Sequence, residues 1–339
     1  MICIALSLTL RILISLGVCS HEYDETSKII GPSVWKGSDI ANDPSWIYTI
    51  TDAERDGLAQ MLAKFERSQL AFPQITLDDI SIGPLAKTLD AITNDLEQGR
   101  GFALLRGLPL DDYSDEQIQQ VYFAIGLYMG EPVKQNPKGD LLGLVMNVGD
   151  ITKKDTRVYE TNLYLPYHTD PSDVVGLLCI RKAKHGGMSS LVSAAMIYNR
   201  IIEEHPHLLS LYYRPFCYAH LGTDKMSPIF SFHEDKLSCR YLRQYIELGY
   251  EQMGIPLSRI EIEALDVFDD IMMRPDMRVD MMMEKGDIQF ANNYAVLHSR
   301  TAFEDYEDHS LRRKKLRLWL KMPEARKLAG DFPGRNGFS

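Results

Sequence analysis

The chain is poor in cysteine. Its 339 residues include five, Cys3, Cys19, Cys179, Cys217 and Cys239, and no C-x-x-C spacing. That excludes a disulfide framework and a cysteine-rich zinc knuckle, and it fits a reducing compartment. A basic stripe is also lacking. The net charge is −10, with acidic and basic residues interspersed, so neither nucleic acid nor an anionic membrane surface is an expected partner. Beyond the first 20 residues no apolar run is long enough to span a bilayer. There is no internal repeat and no low-complexity linker, and strands and helices do not alternate regularly, which argues against a doubly wound sheet. What is present is enough chain, 45% hydrophobic, to bury a large core. A small molecule is the expected partner, with a homo-oligomer allowed.

The segment MICIALSLTLRILISLGVCS (1–20) stands apart. It is apolar and ends in small residues, as a secretory leader does, yet no positive charge precedes the apolar run and Arg11 interrupts it. A leader and an N-terminal extension of a cytoplasmic protein both remain open, and the cytoplasmic reading is the expectation.

Residues 21–50 are turn-rich. A helix is expected after Thr51, where Thr51 and Glu54 form a capping box and Leu58, Met61, Leu62 and Phe65 share a face. A second shows Leu85, Leu89, Ile92 and Leu96 and stops at Gly99. A third starts with Ser114 and Gln117 and ends before Gly130. Between them GFALLRG (101–107) reads as a buried strand. From about residue 142 the rhythm turns to short strands: LLGLVMNVG, VVGLLCIRKA, SSLVSA, IQFANNYAVLH and LRLWLKM, with helices near 194–204 and 240–250. An α+β fold with a mainly β core is expected, a sandwich or jelly roll with flanking helices.

The first chemical candidate is His168-Thr169-Asp170, in YLPYHTDPSDVV. Two histidines and a carboxylate on one side of a metal suit a non-haem Fe(II), because three adjacent positions stay open. Nine histidines and 47 acidic residues, however, produce one H-x-[D/E] by chance, and a second stands at His233 and Asp235. The second lies in SFHEDKLS, a charged hairpin tip, whereas the first leads into a continuous apolar run. The third ligand candidate is His298, ending an apolar strand, where a histidine is more often an ordinary core or edge residue.

LRRKKLRLWLK adds weight. In a strand, Arg313, Lys315, Arg317 and Trp319 share one face, and Leu316, Leu318 and Leu320 the other. If the leucines face covering helices, the arginines point inward, and a buried guanidinium requires an anion. A dicarboxylic acid bound at the metal would provide one. In KHGGMSSLVS the Gly186-Gly187 pair makes a tight turn, and the hydroxyls of Ser189 and Ser190 come within reach of the same carboxylate; a plain hairpin is the ordinary alternative.

These residues resemble a known family. YHTDPSDVVGLLCIRKAKHGGMSSLVSA, GDIQFANNYAVLHSRTAFED and RRKKLRLWL look like the taurine dioxygenase / clavaminate synthase-like branch of Fe(II)- and 2-oxoglutarate-dependent oxygenases, over roughly residues 76–323. The resemblance implies a double-stranded β-helix spanning 76–323, with residues 21–75 as a helical or irregular cover and 324–339 as a tail. It implies Fe(II) on His168, Asp170 and His298, 2-oxoglutarate as co-substrate held by Arg313 and Ser189 or Ser190, and O2. Arg317 falls where some members bind an anionic group of the substrate. Asn162 and Tyr164 in ETNLYLPYH, and Arg240 and Arg243 in LSCRYLRQYIELGY, are further substrate candidates, each equally readable as solvated surface. The implied reaction is oxidation, most often hydroxylation, of a small organic acid or amino-acid-like substrate, with release of succinate and carbon dioxide. The rivals are an inactive jelly-roll metal- or ligand-binding protein, a zinc hydrolase on the same ligands, and ligation through His233 and Asp235.

Overall fold

The described residues of this computed structural model are 27–148, 161–219, 226–332 and 336–337. The apolar leader, with Cys3 and Cys19, lies outside them.

Two sheets face each other, and helices cover both outer sides. The larger sheet runs Ile47–Thr49, Phe102–Arg106, Ile288–Asn292, Val174–Arg181, Lys314–Lys321 and Glu131–Pro132, and Leu142–Met146 also pairs with Lys314–Lys321. The smaller sheet runs Arg278–Met281, Ser189–Ser193, Val296–Arg300 and Leu165–His168, all antiparallel. Phe102, Leu104, Val175, Leu191, Val279, Val296 and Trp319 form an apolar cluster contributed by both sheets.

The helices form where their caps and periods put them. Thr51 Oγ1 accepts from the Glu54 N–H and the Glu54 carboxylate accepts back, starting Asp52–Arg67. Leu85–Gln98 and Asp115–Met129 follow, the latter capped by Ser114 and Gln117. Their apolar faces pack with Leu105, Leu178, Ile288, Phe290, Leu316, Leu318 and Leu320 of the larger sheet. Ala194–Glu204, Arg243–Met253 and Arg259–Met273 pack over Tyr167, Val192 and Leu297 of the smaller one. The last of these helices is absent from the sequence expectations, although Ser258 and Glu261 form a capping box there. The strands Leu165–His168 and Arg278–Met281 are likewise unanticipated.

The Lys314–Lys321 strand matters most for the site. Leu316, Leu318 and Leu320 lie in the helical cluster, so Lys315, Arg317 and Trp319 point between the sheets. Burying one leucine stabilises by about 1.5–3 kcal/mol, and a one-residue slip would exchange the three leucines for two cations and a tryptophan. The register is therefore strongly fixed. Both flanks join the same unit: Ile47–Thr49 pairs in parallel with Phe102–Arg106, and the Gly337 N–H donates to the Pro171 carbonyl at 2.7 Å. No helix among the described residues is long and apolar enough to cross a membrane.

Candidate metal and co-substrate centre

His168 ends the edge strand of the smaller sheet and sits directly opposite His298 on the neighbouring strand. Alternation turns both rings to the inner face, with centroids 4.3 Å apart. Asp170 follows as the chain leaves the strand. Its Oδ1 is 3.8 Å from His168 Nε2 and its Oδ2 is 3.7 Å from His298 Nε2. One donor atom from each residue falls within 4.8 Å of the others.

The protonation states suit a metal. His168 Nδ1 lies 2.8 Å from the Pro166 carbonyl, which can only accept, so Nδ1 carries the hydrogen and the Nε2 lone pair faces Asp170. Burial, then the neighbouring His298, pushes His168 down to about 4, leaving a neutral imidazole at neutral pH. Burial raises the Asp170 carboxyl, but Arg317 3.9 Å away and the two imidazoles outweigh it and hold the group well below the usual carboxylate range. A carboxylate and two imidazoles form a donor set that fits Fe(II).

The loop carrying Asp170 is clamped from the next strand connection. Asn293 Oδ1 accepts the Asp170 N–H at 3.0 Å, and Asn293 Nδ2 donates to the carbonyl and hydroxyl of Ser172. Trp319 Nε1 donates to Asp170 Oδ2 at 2.9 Å. Arg317 lies over the Trp319 ring, its Nε donating to Gln135 Oε1, and Gln135 Nε2 returns to the Arg317 carbonyl. Neither Asn293 nor Gln135 is among the site residues expected from the sequence.

Arg313 and Ser189 share a second pocket. Gly186 and Gly187 both take φ +73°, and a Cβ on Gly187 would stand 3.4 Å from Arg313 Nε, so the turn brings the guanidinium against the start of the Ser189 strand. Ser189 Oγ points to Met283 Sδ on the inner side. Ser190, one residue on, faces the other way, its hydroxyl hydrogen-bonded to Asp280 and Tyr167.

The remaining candidates are more dispersed. The Asn162 carbonyl accepts the Phe303 N–H, and Tyr164 is exposed with its hydroxyl toward Met273 on the outer helix. Arg240 is buried, donating to Ser227 Oγ and lying over Phe332. Arg243 is matched by Glu247, Asp266 and Asp269 in the outer helical layer. His233 and Asp235 flank a tight turn, Glu234 and Asp235 having φ of 45° and 63°, between Phe230–His233 and Lys236–Cys239.

The facing sheets and the buried His–Asp–His cluster define a non-haem iron oxygenase. Residues 66–319 match the profile of the "Taurine catabolism dioxygenase TauD, TfdA family", and the chain belongs to that family. It is accordingly a dioxygenase using Fe(II), 2-oxoglutarate and O2. Among its relatives, the FR-33289 synthase of Streptomyces rubellomurinus is 32% identical over 310 residues, covering 88% of this chain and 91% of the relative. The fold is similar to a solved asparagine oxygenase in complex with Fe(II), 2S,3S-3-hydroxyasparagine and succinate (TM-score 0.65, 16% identity, 81% of this chain and 93% of that one). It is also similar to the non-heme iron oxygenase OrfP in complex with Fe and alpha-ketoglutaric acid (TM-score 0.60, 16% identity, 81% and 94%).

Proposed function

We propose that this enzyme hydroxylates a small amino-acid-like or related organic acid, bound between the two sheets beside His168, Asp170 and His298. The observation that carries the reading is the junction of that cluster with Arg317, an inward cation 3.9 Å from the Asp170 carboxylate. The asparagine oxygenase, whose fold is similar, is described with a hydroxylated amino acid, which supports this substrate class.

In this reading His168, Asp170 and His298 hold the iron, and Arg313 with Ser189 takes the distal carboxylate of 2-oxoglutarate. The opposite orientation of Ser190 supports Ser189 as the hydroxyl donor. The two sheets form a double-stranded β-helix, a jelly roll, with residues 76–323 as its body; the antiparallel pairing and the shared inner core support this. When bound, the iron would serve to activate O2, which is the oxidant, with 2-oxoglutarate as the electron donor that leaves as succinate and carbon dioxide. The residues of the chain position the reactants. Pro166 fixes the His168 tautomer, while Asn293 and Trp319 orient Asp170. Gln135 accepts from Arg317 Nε and so orients the guanidinium, whose Nη1 lies 3.9 Å from Asp170 Oδ2, toward the side of the centre where a substrate carboxylate would bind. The apolar walls, Val175, Leu191 and Val296 among them, exclude water from the reacting centre.

The test is anaerobic addition of Fe(II) and 2-oxoglutarate, expected to give a weak visible charge-transfer band, followed by a screen of small acids and amino acids for stimulated succinate release. No band, together with a His168→Ala variant that binds Fe(II) as well as the wild type, would overturn the assignment.

A further inference from the structure

Three cations line the pocket next to the iron ligands: Arg300 and Arg313 at 4% relative exposure and Lys315 at 3%. None of them makes an ion pair among the described residues. Two other inward cations are paired with carboxylates, Arg326 with Glu97 at 3.2 Å and Arg317 with Asp170 at 3.9 Å. The guanidinium carbons of Arg300 and Arg313 lie 4.7 and 5.1 Å from the Phe303 ring centre. Arg300 donates to the Leu163 carbonyl, but its Nε, like Nη1 of Arg313, is buried without a hydrogen-bond partner. Among the described residues the hydrogen-bond contact of Lys315 Nζ is the Met283 thioether, at 2.8 Å, a weak acceptor. Ser189 Oγ is 3.6 Å from the same sulfur, so the ammonium and the hydroxyl approach one space.

The Asp305 carboxylate, whose Oδ1 accepts the Arg313 N–H, offsets part of the charge of Arg300 and Arg313, but three buried cations outside any ion pair are costly enough that the cluster calls for a further anion. A carboxylate has about four lone-pair sites. The Arg313 fork satisfies two of them, which leaves two for Lys315 Nζ and Ser189 Oγ. We infer that Lys315 is a second cationic contact for the distal carboxylate of 2-oxoglutarate, closing with Arg313 and Ser189 a four-donor cradle behind which Arg300 adds positive field. The inference rests on the iron and 2-oxoglutarate reading given above.

The charges that bear on Lys315 come from its own strand and from those packed against it. Burial first, then Arg313, push it down to about 7; Arg300 acts in the same sense, and Cys179 and Asp287 oppose. A carboxylate arriving in the cradle favours the ammonium. Co-substrate binding therefore takes up a proton and weakens as pH rises above neutrality.

The experiment is calorimetric titration of 2-oxoglutarate into the anaerobic Fe(II)-loaded full chain from pH 6.5 to 9, with 2-oxopentanoate, which lacks the distal carboxylate, as the second probe. Wild type is expected to lose affinity for 2-oxoglutarate across this range and to take up protons on binding. Lys315→Met is expected to bind about tenfold or more weakly at pH 6.5, as loss of a charged hydrogen bond implies, with a flat pH profile and unchanged 2-oxopentanoate affinity. Lys315→Arg, which keeps the charge if the methionine variant folds poorly, is expected to keep the affinity and lose the pH dependence. Either variant matching the wild-type affinity and pH profile overturns the inference. If wild type binds 2-oxoglutarate at no pH, it is the underlying functional reading that fails.

Discussion

Replacing Asn293 by alanine tests whether the metal loop is held by side chains. Asn293 is 1% exposed, and its amide makes three hydrogen bonds to the segment that carries Asp170: one from the Asp170 N–H, one to the Ser172 carbonyl and one to the Ser172 hydroxyl. Alanine strands two buried main-chain groups, the Asp170 N–H and the Ser172 C=O. At about 1–3 kcal/mol for each unsatisfied group, the loss is about 2–6 kcal/mol, toward the lower end if water enters the vacated space. The main-chain bond from Asn293 N to the Asp173 carbonyl survives, so the loop loosens without detaching. Removing partners that orient metal ligands costs about 10–100-fold in metal affinity, and that is the drop expected for Fe(II). Ser172→Ala is the comparator: it removes one of the three bonds, with the hydroxyl's own bond to the Val174 carbonyl, and leaves the Asp170 N–H and the Ser172 C=O paired with Asn293. The assays are the urea midpoint of the metal-free protein and an anaerobic Fe(II) titration. If Asn293→Ala equals wild type in both, backbone contacts alone hold the loop and the reasoning is refuted.

Four further outcomes are expected. His168→Ala abolishes Fe(II) binding whereas His233→Ala leaves it intact; an equilibrium Fe(II) titration showing loss only in the second would move the ligands to the hairpin. Trp319→Phe removes the indole donor to Asp170 Oδ2, so the ligand is less well oriented and Fe(II) affinity is expected to fall about tenfold or more at neutral pH; an anaerobic Fe(II) titration matching wild type would contradict it. Gln135→Leu frees Arg317 Nε and is expected to raise the KM for the primary substrate roughly tenfold, as for one charged hydrogen bond, while leaving that for 2-oxoglutarate unchanged. Finally, in co-substrate-free protein the lowered Lys315 value, about 7 against an ordinary 10.5, means that the folded state binds fewer protons than the unfolded one between these limits. Stability therefore rises with pH there. Lys315→Met should lack that increment, so the wild-type urea midpoint gains on the variant between pH 7 and 9; parallel midpoints would contradict it.

Elements whose local signals agree were legible from the residues alone. Asp52–Arg67 and Asp115–Met129 carry a cap, a helical period and a stop, and each begins at its expected cap. Arg259–Met273 has an equally good cap, but IEIE at 260–263 alternates with period two and imitates a strand. Its two isoleucines turn out to be exposed, Ile260 and Ile262 both at 42%, so the misleading pattern lies off the packed face. Leu165–His168 escaped notice for a different reason. It is an edge strand containing Pro166, and proline is tolerated there because one side of an edge strand has no ladder bond to lose.

The site was legible to the extent that it depends on alternation. Period two in LRRKKLRLWLK separates leucines from cations, and it likewise separates Ser189 from Ser190 once the strand is placed. Alternation does not show which acids meet which cations. Arg243 looked as available for a substrate as Arg317, yet three carboxylates from its own and the neighbouring helix surround it. Lys315 looked like one more member of a basic run, yet it is the cation with a thioether where an acid would be expected. Sequence distance hides such pairing because the partners come from strands and helices far apart in the chain. What distinguishes Lys315 from Arg243 is therefore the absence of an ion-paired protein carboxylate at a buried position, a property of the folded interior. That is why the H-x-D motif, alone at chance frequency, gains its meaning from the charges left unmatched on the strand 145 residues later, from Asp170 to Lys315.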